Sequence, residues 1–264
     1  MTFFSRTSYL PLLVFGLLAY LVALVISFPA QRAYAHWRAS EQASDSVALS
    51  GISGSVWSGR AALALINGQP LENLEWHLRP WSVLFGEVGL GWRVQLPEAG
   101  GYAQADSALG LDGSISFDTL EARLPAAMIA RLARAAALRP TGTVNLNLHD
   151  VQWDGKTLRS AVGRVVWNDA GISLLKPIAL GDQSLTLETT EEGVKGVLSD
   201  GGGPLSLDGL LIVDAEGKYT FSGSLAARNA PDLERALRSL GRPGPDGRIT
   251  LKRSGTLASL GLFY

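Results

Sequence analysis

The chain contains no cysteine, only three histidines and only two methionines among its 264 residues. The lack of cysteine excludes disulfides, thiolate zinc sites and cysteine nucleophiles. The histidines, His36, His77 and His149, lie far apart, and none belongs to a metal-binding pattern such as H-E-x-x-H. The sequence therefore predicts no metal site and no cofactor.

Charge is also scarce, because charged residues make up 18% of the chain, against 47% hydrophobic residues, and the formal net charge is −1. No excess of basic residues suggests nucleic-acid binding. The sequence contains no G-x-S-x-G, and the glycines at 201–203 lack the lysine of a phosphate loop. We therefore expect a protein that is not an enzyme.

One long apolar segment stands out near the N-terminus. Residues 10–28 contain no charged side chain, and their number is close to the ~20 apolar residues that span ~30 Å of hydrocarbon. We expect a single transmembrane helix over 10–28 with the N-terminus inside, which in a bacterium would place residues 1–9 in the cytoplasm and the main domain in the periplasm. A cleaved signal peptide is the alternative, because Ala33-Tyr34-Ala35 resembles a cleavage site, but the apolar run exceeds the usual ~7–15 residues.

A polar juxtamembrane segment, 29–46, precedes a region of short alternating segments. In GTVNLNLHD, for example, Val144, Leu146 and Leu148 alternate with polar residues, as expected for half-buried strands. Turn signals separate these segments, among them Asp154-Gly155, Glu192-Gly193 and Asp246-Gly247. The pattern predicts a mainly β protein with an elongated, curved antiparallel sheet.

Two segments are typical of short helices instead. Residues 125–138 are rich in alanine, with Pro125 in the first turn. Residues 231–241 begin with Pro231 and place leucines at positions 233, 237 and 240 on one side.

The two helices indicate an internal repeat, since Pro125 and Pro231 are 106 residues apart. GSVW at 54–57 is echoed by GRVVW at 163–167, with an offset of 110 residues between the tryptophans. We expect two β modules, 47–139 and 140–264, each containing one helix.

Tryptophans cluster after the apolar segment, at positions 57, 76, 81 and 92. Core packing, an aromatic belt at the bilayer surface and the lining of a groove are all compatible with this spacing. We interpret GSVWSG at 54–59 as the first strand of the periplasmic domain, with small residues that permit close backbone approach and one aromatic anchor.

A family resemblance rests on the order of several short motifs after the apolar segment. These are G-x-V-W-x-G at 54–59, then W-x-x-x-P at 76–80, and later the glycines of Asp246-Gly-Arg and Ser254-Gly-Thr-Leu. The motif positions are Gly54, Val56, Trp57, Gly59, Trp76, Pro80, Gly247 and Gly255. Because its motifs follow one another in this order, the chain resembles protein N of the bacterial type II secretion system over nearly its whole length.

The resemblance implies an accessory inner-membrane protein that aids export of folded proteins across the outer membrane. Its implied partners are the inner-membrane clamp protein C, the platform proteins L and M, and the outer-membrane secretin. A relation to AsmA-like proteins implies a groove-shaped or taco-like sheet. The alternative function is a periplasmic protein that binds or transfers lipid in such an apolar β-groove.

Overall fold

The computed structural model describes residues 13–17, 20, 23–24, 27–40, 47–66, 69–97, 100–132, 139–173, 176–239 and 241–257. Contacts between Cα atoms divide the chain into two compact units, residues 1–78 and 79–264. Both units are built on antiparallel strands with few short helices. The prediction of a mainly β, antiparallel fold is therefore confirmed.

The first unit contains helix α1 (Ala30–Arg38) and strands β1 (Val47–Ser50), β2 (Ser53–Gly54), β3 (Ser58–Ile66) and β4 (Gln69–Arg79). Strand β3 pairs antiparallel with β1, β2 and β4. Helix α1 lies in the segment that the sequence predicted only as a polar stretch. The hydroxyl of Tyr34 on α1 accepts a hydrogen bond from the Leu49 amide at 2.8 Å, which joins α1 to β1.

The predicted transmembrane helix over 10–28 lies partly outside the described residues, and residues 1–9 lie wholly outside them. Within this stretch, residues 13–17, 20 and 23–24 are helical, and the large apolar side chains among them are exposed. In the described part of the chain, no helix is both long enough and apolar enough to cross a membrane.

The second unit is an antiparallel meander, in which each strand pairs with the next one along the chain. A 3-10 helix (Pro80–Phe85) precedes it. The strands are β5 (Glu87–Leu96), β6 (Gly101–Gly110), β7 (Ile115–Pro125), β8 (Pro140–Trp153), β9 (Leu158–Ser173), β10 (Pro177–Thr190), β11 (Gly193–Asp200), β12 (Leu205–Asp214), β13 (Lys218–Ala227) and β14 (Ile249–Thr256).

Tight turns produce this meander where the sequence showed Asp-Gly and Glu-Gly pairs. Gly155 and Gly217 adopt positive φ angles of 88° and 77°, which glycine tolerates best. Beside Gly155, the Asp154 carboxylate accepts the Thr157 amide at 2.7 Å and the Lys156 amide at 3.0 Å. These amides hold the pKa of Asp154 well below its ordinary value, because they bind the charged form.

Both predicted helices are present, with shorter bounds. Helix α2 spans Ala126–Leu132, and Pro125 ends β7 instead of starting the helix, while residues 133–138 lie outside the described ranges. Helix α3 spans Pro231–Arg238 and buries Leu233 and Leu237, as the leucine spacing predicted.

The two tryptophans of the proposed repeat occupy different local structures. Trp57 lies in the turn between β2 and β3, whereas Trp167 lies inside the long strand β9. The short echo GSVW and GRVVW therefore marks no shared backbone conformation. The division into modules 47–139 and 140–264 stays a prediction.

Candidate functional site

The second unit has one predominantly apolar sheet face from β8 to β14. Register places Leu146, Val165, Leu185 and Leu198 side by side across four neighbouring strands. We call this side the apolar face. Further members are Val144, Leu148, Trp167, Leu187, Leu207, Leu211, Phe221, Leu225 and Leu251.

Helix α3 covers one end of the apolar face. Its Leu233 and Leu237 are 2% and 7% exposed and belong to a cluster with Leu180, Leu205 and Ile249 of the sheet. Burial of such a leucine contributes about 1.5–3 kcal/mol. This end is therefore a conventional hydrophobic core.

A second cluster occupies the opposite end of the same face. Ala161, Val194 and Val213 are each 2% exposed there, and Leu187, Tyr219 and four other partly buried apolar residues pack against them. The strands are thus fixed by packed side chains at both ends.

The middle of the apolar face is less buried than its two ends. Leu146, Val165, Leu185 and Leu198 are all half-buried. A row of apolar side chains that keeps part of its surface accessible is the property expected of a binding groove for apolar ligands.

Glycines in this middle region allow large side chains of the same face to approach the sheet backbone closely. A Cβ atom on Gly209 would be 3.0 Å from the Phe221 ring, and one on Gly223 would be 2.8 Å from it. Likewise, a Cβ on Gly196 would be 3.0 Å from Leu185 and 3.2 Å from Leu187. The apolar side chains therefore pack directly against the backbone at these glycines.

The apolar face also carries polar residues near its helix-covered end, where Gln183 pairs in register with Asp200. Gln183 is 8% exposed, pairs in register with Trp167, and donates its amide to the Leu180 carbonyl at 3.2 Å. Its Oε1 is buried and has no hydrogen-bond partner among the described residues. Such an acceptor is costly to bury, by about 1–3 kcal/mol.

The opposite face of the sheet is mainly polar, and a row of hydrogen-bonded side chains crosses it on β5, β6 and β7. Arg93 donates to Gln104 at 2.8 Å, and Gln104 donates to Glu121 at 2.7 Å, which links β5, β6 and β7. Next to this row lies an open concavity of about 620 Å³, whose lining includes Tyr102 and His149. The two faces of the sheet therefore differ in chemistry.

The acidic segment from Asp182 to Glu216 is mostly engaged in local structure. The Asp200 carboxylate accepts two hydrogen bonds from Arg228, one at 3.1 Å, and one from the Leu207 amide at 3.0 Å. The Arg228 guanidinium holds the pKa of Asp200 well below its ordinary range. Asp214 likewise accepts the amides of Glu216 and Lys218. These carboxylates stabilise turns.

The motif GSVWSG forms a tight turn between β2 and β3, so its interpretation as the first strand was wrong. The Ser55 amide donates to the Ser58 carbonyl at 2.9 Å and closes the turn. The Val56 amide donates to the Phe28 carbonyl at 3.0 Å, and Ser55 forms a β-bridge with Pro29. The turn therefore binds the backbone directly before α1.

Trp76 of β4 packs on the same turn. Its indole N–H donates to the Val56 carbonyl at 3.0 Å, and the Leu78 amide donates to the Trp57 carbonyl at 2.6 Å. A Cβ atom on Gly59 would lie 2.5 Å from the Trp76 ring, and Gly54 adopts a φ of 86°. Only glycine fits these two positions without a shift.

The structure therefore brings together five of the eight motif residues, namely Gly54, Val56, Trp57, Gly59 and Trp76. The other three lie in the second unit. Pro80 begins the 3-10 helix, Gly247 forms a turn with a φ of 73°, and a Cβ atom on Gly255 would lie 3.0 Å from the Tyr219 ring.

The described residues contain no group of three His, Cys, Asp or Glu side chains that could hold a metal ion. The clustered tryptophans do not share one role, because Trp76 packs on the motif turn while Trp81 is 77% exposed. The spacing of the tryptophans in the sequence could not show which of them are packed and which are exposed.

A meander with one apolar and one polar face defines a β-sheet protein whose faces offer different binding surfaces. The family model described as "Type II secretion system (T2SS), protein N" matches residues 45–252, and the chain belongs to this family. The family resemblance inferred from the motifs is therefore confirmed, and the chain has a role in type II secretion.

Two curated relatives have the same description. Type II secretion system protein N of Klebsiella pneumoniae is 30% identical over 220 residues, which cover 80% of this chain and 84% of the relative. Type II secretion system protein N of Aeromonas hydrophila is 26% identical over 254 residues, which cover 91% and 96%. No solved structure gives a significant match.

Proposed function

We propose that this chain is an accessory inner-membrane component of the type II secretion system that aids export of folded proteins through protein–protein contacts. The family match over residues 45–252 is the main observation behind this proposal. The proposed role is not catalytic and needs no cofactor. The proposed partners are the clamp protein C, the platform proteins L and M, and the secretin.

The proposed membrane arrangement has residues 10–28 as the anchor, residues 1–9 in the cytoplasm and the main domain in the periplasm. Exposed apolar side chains on the described helical residues of this segment, such as Leu13 and Phe15, support it. Because the chain has no cysteine, single-cysteine variants can be labelled without background. A cysteine at exposed Arg164 should react with an impermeant maleimide in cells with a permeabilised outer membrane; protection until the inner membrane is lysed would contradict the arrangement.

Site-specific photo-crosslinking in cells tests the partner proposal. A photoreactive amino acid at exposed positions on the polar face, such as Arg93 and Arg164, should capture components of the secretion system. The buried position Leu237 provides the control, because its side chain is enclosed by the chain itself. Crosslinks only to unrelated periplasmic proteins would contradict the proposal.

The second candidate function is binding or transfer of a lipid on the apolar face. The half-buried middle row supports this function, and the buried Oε1 of Gln183 offers a hydrogen-bond acceptor at the helix-covered end. An acyl chain on the row would remove its remaining accessible surface from water.

Native mass spectrometry of the full chain tests lipid binding, with a matched pair of variants. Leu198 lies on the apolar face and its neighbour Val197 on the opposite face, where it is 41% exposed. We expect Leu198→Glu to remove co-purified lipid and Val197→Glu to retain it. Absence of lipid from the unaltered chain, or equal retention by both variants, would exclude this function.

A further inference from the structure

A cluster of exposed apolar side chains lies at one end of strands β5, β6 and β7. Trp81, Leu84 and Phe85 of the 3-10 helix are 77%, 77% and 84% exposed, and Leu111 of the β6–β7 turn is 78% exposed. We call these four residues the apolar tip. Side chains this large rarely project into water in such a group.

The two segments of the apolar tip form one structure. The Leu111 amide donates to the Gly86 carbonyl at 3.0 Å, directly after the 3-10 helix. Register also pairs Val88 with Leu109, and Leu109 with Ile115. The 3-10 helix and the hairpin turn therefore project together.

Several backbone groups of the apolar tip are hydrogen-bonded to neighbouring residues. The Gly86 amide donates to the Val83 carbonyl at 3.1 Å, and the Gly113 amide donates to the Gly110 carbonyl at 3.0 Å. The Ser82 hydroxyl donates to the Arg79 carbonyl at 2.7 Å and accepts the Gly89 amide at 2.7 Å. Backbone groups paired in this way can leave water without the cost of unsatisfied donors.

Several charged residues lie next to the apolar tip in the chain or in the same turn. Arg79 forms an ion pair with Asp118 at 3.5 Å, Glu87 begins β5, and the Asp112 carboxylate accepts the Ser114 amide at 2.9 Å. Three carboxylates accompany one guanidinium, which disfavours attraction to an anionic surface.

We propose that the apolar tip inserts into the interfacial layer of a lipid bilayer with zwitterionic headgroups. Its tryptophan, phenylalanine and two leucines are residue types that bilayer interfaces favour. Side chains that are nearly fully exposed on two turns fit a deformable bilayer better than a preformed protein pocket, since protein contacts bury their anchors in complementary cavities.

An environment-sensitive dye on a single cysteine tests this proposal in the full chain, reconstituted in phosphatidylethanolamine–phosphatidylcholine vesicles. At Leu84→Cys we expect blue-shifted emission and about twofold quenching by lipids with a nitroxide in the upper acyl chain. Val197→Cys is the control, because it is an exposed apolar position on a sheet strand distant in sequence, and its dye should remain water-like.

Three further outcomes test whether the apolar tip contacts a zwitterionic lipid surface. Replacing part of the phosphatidylcholine with phosphatidylglycerol should leave or lower the quenching, whereas a strong increase would contradict recognition of a zwitterionic surface. A blue shift at Leu84→Cys without nitroxide quenching would show a protein contact and overturn the proposal. Water-like emission at both positions would also overturn it, and neither result would affect the assignment to type II secretion.

Discussion

Two turns each contain a tryptophan, Trp57 and Trp81, which are 24 residues apart and differ in burial. Trp57 is half-buried in a turn that bonds to β4 and to the backbone before α1. Trp81 is exposed in a turn whose hydrogen bonds run to adjacent residues and to the β6–β7 turn. The comparison shows that the neighbouring residues determine whether a tryptophan in a turn is buried or exposed. In the first turn, two glycines let Trp76 and neighbouring carbonyls approach closely, and the second turn lacks any such contact at Gly86.

The largest expected effect comes from the glycine under Trp76. In Gly59→Ala the new Cβ would lie 2.5 Å from the Trp76 ring and 2.8 Å from the Ser53 carbonyl oxygen. We expect a loss of about 3 kcal/mol in the free energy of unfolding, measured by chemical denaturation. The matched change, Gly86→Ala, meets no atom within 4 Å but retains an unfavourable φ of 79°, so about 1 kcal/mol is expected. Equal losses in the free energy of unfolding for the two variants would contradict the proposed difference between the two turns.

Truncating each tryptophan gives the next largest contrast. Trp57→Ala removes a half-buried side chain and should lower the free energy of unfolding by about 2 kcal/mol, whereas Trp81→Ala should change it by less than about 0.5 kcal/mol. Thermal unfolding of the two variants measures both. Unchanged stability of Trp57→Ala together with lost secretion would show that Trp57 is a contact residue instead.

A smaller effect isolates the hydrogen bond in the first turn. Trp76→Phe keeps an aromatic ring but removes the indole N–H that donates to the Val56 carbonyl. We expect a loss of about 1 kcal/mol in the free energy of unfolding. Trp92→Phe, on strand β5 of the other unit, is the control substitution, and a larger loss there would weaken our account of the motif.

The smallest effect concerns pH at the β6–β7 turn, which is hydrogen-bonded to the turn of Trp81 through Leu111 and Gly86. Hydrogen bonds from Ser114 lower the pKa of Asp112 below its ordinary value. The turn is therefore stabilised above the unfolded pKa of about 3.9, and this stabilisation is lost as pH falls through the lower folded pKa. An NMR titration of the Ser114 amide should show a midpoint below that of an ordinary aspartate. Asp112→Asn should abolish the transition, and a midpoint at or above the ordinary value would contradict the hydrogen-bonded turn.

The sequence predicted the strands of the second unit well, because alternation over β8 and β13 and the Asp-Gly turns are local signals. The leucine stripe of α3 also predicted its buried side. The motif turn could not be identified as a turn, since its conformation depends on Trp76 and Phe28, which are distant in sequence. Helix α1 was missed because it has no apolar repeat and is held by Tyr34 and the turn.

The apolar tip and the apolar face show a second limit of sequence reasoning. Residues 80–85 contain the same apolar types as a core segment, and only the fold leaves them exposed. The glycines at 196 and 209 gave no signal of the side chains that lie over them, because those contacts join different strands.

Secretion of a folded substrate in a strain that lacks this chain tests the proposed function most directly. Our account predicts that the substrate accumulates in the periplasm and that export returns when the unaltered chain is supplied. Export at the normal level in the strain without the chain, with the secretion system otherwise intact, would contradict the account.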